Sequence, residues 1–279
     1  GNITISAPSF VSGYGKGFSR NQGPGAESLN GATYGGRGGG NSLEPYGNIT
    51  MPTSLGSGAF YGGGSAIKLE SDLGYVLVDG IVTVIGQNVG GSLGDSGSGG
   101  SIWLLAKNIS GSGILNASGA HASNLYGAGS GGRISLTALD ILEFTGIIEN
   151  IGGNGGTGIN SDGGGGTVYI NATTSIISHM NITTIGEVGG NITFEDTFLD
   201  LRGVYNASGN QTSGGNGTVY LNYTDCDSSF VGATFDPAPP TYLTSCLSPG
   251  GALNNWNCSD SQRWDNASCW TLGRVPGPN

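Results

Sequence analysis

A glycine-led strand that keeps returning constrains this chain more than any other feature. Gly64-Ser65-Ala66-Ile67-Lys68-Leu69 is echoed by Gly100-Ser101-Ile102-Trp103-Leu104-Leu105, Gly132-Arg133-Ile134-Ser135-Leu136, Gly166-Thr167-Val168-Tyr169-Ile170 and Gly217-Thr218-Val219-Tyr220-Leu221. The aligned positions Ile67, Ile102, Ile134 and Val168 stand 35, 32 and 34 residues apart, and the 51-residue step to Val219 leaves room for Ile192. A second series keeps step at 33 residues: Gly80-Ile81-Val82, Gly113-Ile114-Leu115 and Gly146-Ile147-Ile148, continued by Asn181-Ile182 and Gly203-Val204. One such strand cannot bury its apolar face alone; stacking repeats buries it and pairs the backbone along parallel ladders. Two series with one shared period therefore predict an all-β parallel β-helix. Ile67, Ile102, Ile134 and Val168 are expected in one inner column, and Ile81, Ile114 and Ile147 in another. No amphipathic helical pattern is found.

Glycine supplies 57 of the 279 residues without a strict three-residue period, which excludes collagen. The hydrophobic fraction of 36% and the β-branched runs favour a repeat fold over disorder. Tracts such as Gly97-Ser98-Gly99-Gly100 and Gly163-Gly164-Gly165-Gly166 are read as turns needing positive φ or close backbone approach. The net charge is −10, and the nine basic residues are scattered. No basic stripe exists for phosphates, so neither nucleic acid nor an anionic membrane surface is an expected partner. No apolar run approaches the ~18–20 residues of a membrane span.

Asn-x-Ser/Thr sequons fall at Asn2, Asn48, Asn108, Asn116, Asn171, Asn181, Asn191, Asn206, Asn210, Asn216, Asn222, Asn257 and Asn266. That is 13 of 24 asparagines; with Ser and Thr at roughly a fifth of the chain, chance gives about five. Asparagine also suits β-solenoid turns, where it tolerates the left-handed region and forms ladders, which accounts for part of the excess. The remainder predicts N-linked glycans on several sites, each facing outward.

All four cysteines, Cys226, Cys246, Cys258 and Cys269, lie near the C-terminal end, with no CxxC pair and no His among them. Two disulfides in an oxidising compartment fit better than zinc. Three connectivities are open, with Cys226–Cys246 and Cys258–Cys269 the working choice. The expected organisation is an irregular Gly-rich cap or first coil over 1–60, β-helix repeats over 61–225, and a Pro linker with a Cys/Trp-rich, disulfide-braced tail over 226–279. Phe235-Asp236-Pro237-Ala238-Pro239-Pro240 is read as the linker. The start at Gly1 and the Val275-Pro276-Gly277-Pro278-Asn279 ending are read as the limits of a processed piece.

The runs Gly-Gly-Ser-Ile-Trp-Leu, Gly-Ser-Gly-Ile-Leu-Asn-Ala-Ser-Gly and Gly-Ser-Gly-Gly-Arg-Ile-Ser-Leu resemble the glycine-rich repeats of large secreted and cell-surface proteins, adhesin-like or matrix-forming. The resemblance covers roughly residues 60–225 and implies a right-handed β-helix. The tail, with Trp256, Trp264, Trp270, Gly273, Val275, Pro276 and Gly277, resembles an inter-module opening in such proteins.

Chemistry is sparse. A polysaccharide lyase would need stacked carboxylates and a basic residue, and the densest patch is Glu195, Asp196 and Asp200 with Arg202. Glu149 and Asp162 form no evident pair, His121 and His179 are 58 residues apart, and Gly152-Gly153-Asn154-Gly155-Gly156 lacks the recurring Asp of Ca²⁺-binding nonapeptides. Trp103, Tyr169 and Tyr220 hold equivalent repeat positions, as an exposed aromatic row or packed beneath a loop. The sequence is therefore read as a non-enzymatic, extracellular structural glycoprotein without cofactor or metal. Its expected partners are copies of itself, head to tail, or other surface glycoproteins. An adhesin or carbohydrate-binding module is the alternative, and a lyase or hydrolase the remote one.

Overall fold

The computed structural model describes residues 1–87, 94–123, 126–156, 161–210, 214–225 and 227–244. The described residues hold eighteen β-strands and no helix, hence no helix long and apolar enough to cross a membrane. Every strand pairing is parallel. The strands make one eleven-stranded and one seven-stranded sheet, curled as a half-barrel around a shared apolar core.

The smaller sheet is a single row: β2 (Phe10–Ser12), β4 (Ile81–Thr83), β6 (Ile114–Asn116), β9 (Ile147–Glu149), β12 (Asn181–Thr183), β15 (Gly203–Asn206) and β17 (Ala233–Asp236). The larger sheet carries two rows, because β3 (Ala66–Val78) and β5 (Ser101–Gly111) are long enough to serve both. Their first halves lead into β7 (Arg133–Ala138), β10 (Thr167–Ala172), β13 (Asn191–Glu195), β16 (Thr218–Asn222) and β18 (Thr241–Thr244). The second half of β3 pairs with β1 (Ile3–Ile5) and that of β5 with β8 (Ile141–Phe144), from which the row continues through β11 (Ser175–Ser178) to β14 (Leu199–Leu201).

The glycine-led series pair as the period predicts. Ile67 faces Ile102, Ile102 faces Ile134, Ile134 faces Val168, Val168 faces Ile192, and Ile192 faces Val219. From Ile102 to Val219 these side chains are fully buried, while Ile67, at the edge, is half-buried. Burying each such aliphatic side chain contributes about 1.5–3 kcal/mol.

The second inner column is shifted by one residue from the expected one. Ile81, Ile114 and Ile147 are in register but face outward, with Ile81 and Ile147 39% and 42% exposed. The buried positions are Val82, Leu115, Ile148, Ile182, Tyr205 and Phe235. A three-residue strand turns only its central side chain inward, since alternate residues point to opposite faces. From Gly80 and Gly100 onward, the inward residue is the second after the leading glycine: Val82 after Gly80, and Ile102 after Gly100.

The leading glycines are fixed by space. A Cβ on Gly132 would strike the Gly100 carbonyl oxygen, one on Gly166 that of Gly132, one on Gly190 that of Gly166, and one on Gly217 that of Gly190. None of these has positive φ. Of the two reasons for glycine weighed from sequence, close backbone approach holds at these strand starts.

Both sheets continue past residue 225, where the repeats were expected to stop. Phe235 and Asp236, read as the beginning of a linker, belong to β17 and pair with Tyr205 and Asn206. β18 then pairs with β16. Phe235 is buried and stacks on Tyr205 with ring centroids 5.3 Å apart, so an inner apolar position outweighs the neighbouring prolines. Cys226, Cys246, Cys258 and Cys269, with the proposed disulfides, lie outside the described residues, as do Asn257, Asn266 and the tail tryptophans.

Residues 13–65 hold no strand and lie along the side of the sheets. They are tied across three successive repeats by backbone hydrogen bonds: Ala32 N to Ser96 O (3.0 Å), Gly35 N to Gly131 O (3.0 Å) and Gly164 N to Arg37 O (2.7 Å). Tyr34 is fully buried here. Its hydroxyl meets Ser101 Oγ at 2.6 Å, and its ring lies 4.7 Å from that of Tyr46. Arg133, only 4% exposed, donates from Nε to Tyr46 O (2.8 Å) and from Nη1 to Thr167 Oγ1 (2.9 Å), with its guanidinium 5.5 Å from the Tyr34 ring centroid.

Candidate functional site

The sequons form the most extensive set of chemically similar groups. Eleven of the thirteen are described, and none of the eleven is buried. Asn2, Asn48, Asn181, Asn191, Asn210 and Asn216 are exposed; Asn108, Asn116, Asn171, Asn206 and Asn222 are half-buried. The buried asparagines, Asn41 and Asn150, are not sequons. Asn150 shows the purely structural role: its Nδ2 donates to Gly132 O (3.0 Å) and Thr167 O (2.9 Å), and its Oδ1 accepts from Gly132 N (2.7 Å).

Position in the fold explains this exposure. Asn181 and Asn191 open β12 and β13, and each Oδ1 caps a backbone N–H in the next strand of its row: Val204 N at 3.0 Å and Thr218 N at 3.1 Å. Asn116 and Asn206 end β6 and β15 in the repeated Asn-Ala-Ser-Gly motif. Their Oδ1 atoms accept from Ser118 N (3.0 Å) and Ser208 N (2.9 Å), closing the same short turn twice.

The acidic patch weighed for catalysis is divided among three environments. Glu195 ends β13, where Oε2 accepts from the Tyr169 hydroxyl at 2.6 Å and Oε1 from Asn222 Nδ2 at 3.4 Å. Burial, then Glu195, pushes the Tyr169 hydroxyl pKa well above its usual value. Asp196 is 9% exposed with Oδ2 unpartnered, and burial raises its pKa to about 6. Asp200 pairs with Arg202 at 3.3 Å on β14's row. No three metal-ligating side chains converge among the described residues. His121 accepts at Nδ1 from Asn154 N (2.8 Å), and His179 is exposed elsewhere.

The aromatic positions share one register but not one environment. Lys68, Trp103, Ser135, Tyr169, Thr193 and Tyr220 follow each other across the larger sheet. Trp103 is buried, with the Lys68 ammonium 4.1 Å from its ring centroid, while Tyr169 and Tyr220 are half-buried. Ser101 and Ser135 beside Trp103 donate to Ser54 O (2.6 Å) and Thr50 O (2.7 Å) of the long loop.

Two adjoining depressions lie beside the smaller sheet and share Ile151 and Gly152. One, of about 350 Å³, takes in Asn154, Asp162, Asn206, Ser208, Asn210 and Asp236. The other, of about 280 Å³, takes in Tyr14, Asn116, Ser118, His121 and Glu149. Sequence reasoning missed this groove and the Arg133–Tyr34–Tyr46 brace. The groove joins residues far apart in the chain, but Arg133 carried a signal, as the lone cation at the start of an otherwise apolar repeat strand.

The end of the sheets nearest β1 and β2 is the other distinctive surface. Residues 66–71 of β3 pair with β5 on one side and with no strand on the other among the described residues, and β1 and β2 each have one partner. Phe10 and Leu73 stand at this end 70% and 91% exposed. No protein-family profile, characterised protein or solved structure matches the chain.

Proposed function

We propose that this chain is an extracellular structural glycoprotein, built as a right-handed parallel β-helix, whose copies stack head to tail into a filament or surface coat. The observation that carries this reading is the uncovered end of the sheets: strand edges at β1, β2 and the first half of β3, with Phe10 and Leu73 exposed beside them. Unpaired parallel edges are templates for another chain, and a head-to-tail contact that does not close generates an open fibre. The middle of the long loop, residues 32–37, is bonded along the side of the sheets and pairs with none of these strand edges. Right-handedness rests on the sequence resemblance and on the rule for parallel crossovers. Support for glycosylation comes from the exposure of Asn2, Asn48, Asn181, Asn191, Asn210 and Asn216 and from the absence of any buried sequon among the described residues.

Electron microscopy of native, undigested material tests this reading. Regular fibres with an axial repeat near one protomer length are expected. Dispersed single rods would overturn assembly.

The groove favours a second reading, a carbohydrate-binding module of a larger surface protein. It is lined by amides, hydroxyls and carboxylates suited to sugar hydroxyls. Retention of the protein on a polysaccharide matrix, lost on substituting Asp162 and Glu149, would support this alternative.

A further inference from the structure

The sequons fall into two chemical sets that the sequence does not distinguish. A backbone N–H can only donate, so an asparagine facing one presents Oδ1 to it and turns Nδ2 away. Asn2 accepts from Tyr75 N (3.2 Å), Asn48 from Thr50 N and Met51 N (both 2.9 Å), and Asn216 from Gly209 N (3.0 Å). Asn181 and Asn191 do the same toward Val204 and Thr218. All five are exposed, and their Nδ2 atoms donate to nothing among the described residues.

In the other set Nδ2 itself donates to the protein, even where Oδ1 also accepts, as Asn116 Oδ1 does from Ser118 N. Asn171 Nδ2 donates to Glu195 O at 2.9 Å, Asn222 Nδ2 to Glu195 Oε1 at 3.4 Å, and Asn116 Nδ2 to Glu149 Oε2 at 2.5 Å. A carbonyl or carboxylate oxygen can only accept, so the nitrogen must face it. These three are half-buried, and each bond joins neighbouring strands: β10 to β13, β16 to β13, and β6 to β9.

We propose that the N-linked glycans are carried by Asn2, Asn48, Asn181, Asn191 and Asn216, and that Asn116, Asn171 and Asn222 stay unmodified as rungs between strands. In the transfer, the anomeric carbon of a diphosphate-activated, lipid-linked oligosaccharide bonds to Nδ2. Its bond to the phosphate oxygen breaks, the phosphate leaves with the electron pair, and one amide proton is released. At the first set, the sugar extends into solvent and the Oδ1 bond is kept. At the second, it would stand on the nitrogen that holds the next strand. Asn108, Asn206 and Asn210 meet only one of the two conditions, exposure or a free nitrogen, and are outside the assignment.

The assignment rests on the glycoprotein reading, and site-resolved glycopeptide mass spectrometry of native protein separates the two. Occupancy several-fold higher at the first five sites is expected. Glycans absent everywhere would overturn both the assignment and the glycoprotein reading. Glycans at Asn116, Asn171 and Asn222 as abundant as at the five would overturn the assignment alone. Asn→Asp variants made without glycans supply a second measurement, because aspartate keeps the acceptor and loses the donor. Asn171→Asp should lower the melting temperature and Asn181→Asp leave it nearly unchanged; equal effects would overturn the proposed rungs.

Discussion

At the residue scale, the glycines at strand starts are held by contact. The Gly132 Cβ position lies against Gly100 O, backbone that cannot swing aside, whereas Gly215 has nothing within 4 Å and an ordinary φ. Gly132→Ala should destabilise by about 1–3 kcal/mol, as overpacked cores do, and Gly215→Ala should change stability by less than about 0.5 kcal/mol. Chemical denaturation of the two variants checks this. Asp196 gives a pH signature. Burial raises its pKa from 3.8 to about 6, so the native state holds its proton more tightly than the unfolded chain. Its contribution is full below about pH 4 and is lost as pH rises through about 6. Asp196→Asn, which keeps an acceptor for Thr197 N, should therefore stabilise the protein at pH 7. That gain should vanish near pH 3, as thermal melts at the two pH values would show.

At the element scale, the loop over residues 13–65 is held to the sheets by a small polar brace. Arg133 is buried with no carboxylate partner among the described residues; it donates to Tyr46 O and Thr167 Oγ1, and its charge faces the Tyr34 ring. Tyr46 in turn donates to Leu55 O (2.6 Å), so the loop is pinned along much of its length. Arg133→Met leaves the Tyr46 carbonyl without its charged donor and should lose about 1.5–3 kcal/mol. The loss should be local first, with protease cutting the loop before the strands are attacked. Equal protease resistance in both proteins would show that the backbone bonds to Ser96, Gly131 and Gly164 hold the loop unaided. The brace was hard to read in advance because Tyr34 and Arg133 are 99 residues apart and belong to no shared motif.

At the scale of the whole molecule, the proposed assembly depends on the exposed end. Phe10→Asp with Leu73→Asp alters two side chains that pack on little, so monomer stability should change by less than about 1 kcal/mol. Placing carboxylates against an incoming strand edge should shorten or abolish fibres. Electron microscopy and sedimentation of the double variant against the parent protein measure this. Undiminished fibres would move the contact away from this end.

The repeat period by itself determined the parallel pairing, down to the place of Ile192 in the column from Ile67 to Val219, because stacked repeats must pair equivalent residues. The same pattern left the phase of the second column ambiguous. Ile81-Val82 and its echoes put two apolar residues side by side, and only the strand's two-residue alternation against the core chose Val82. The continuation through Phe235 was hidden by adjacent prolines, and packing on Tyr205 decided it. For the sequons, sequence fixed only where an asparagine precedes Ser or Thr by two positions. At Asn171 and Asn181, which atom of the amide faces the protein depends on whether the neighbouring strand offers an acceptor or a donor there. That is a property of register between strands whose bonded residues are 23 and 24 apart in the chain, and it exists only once they are stacked.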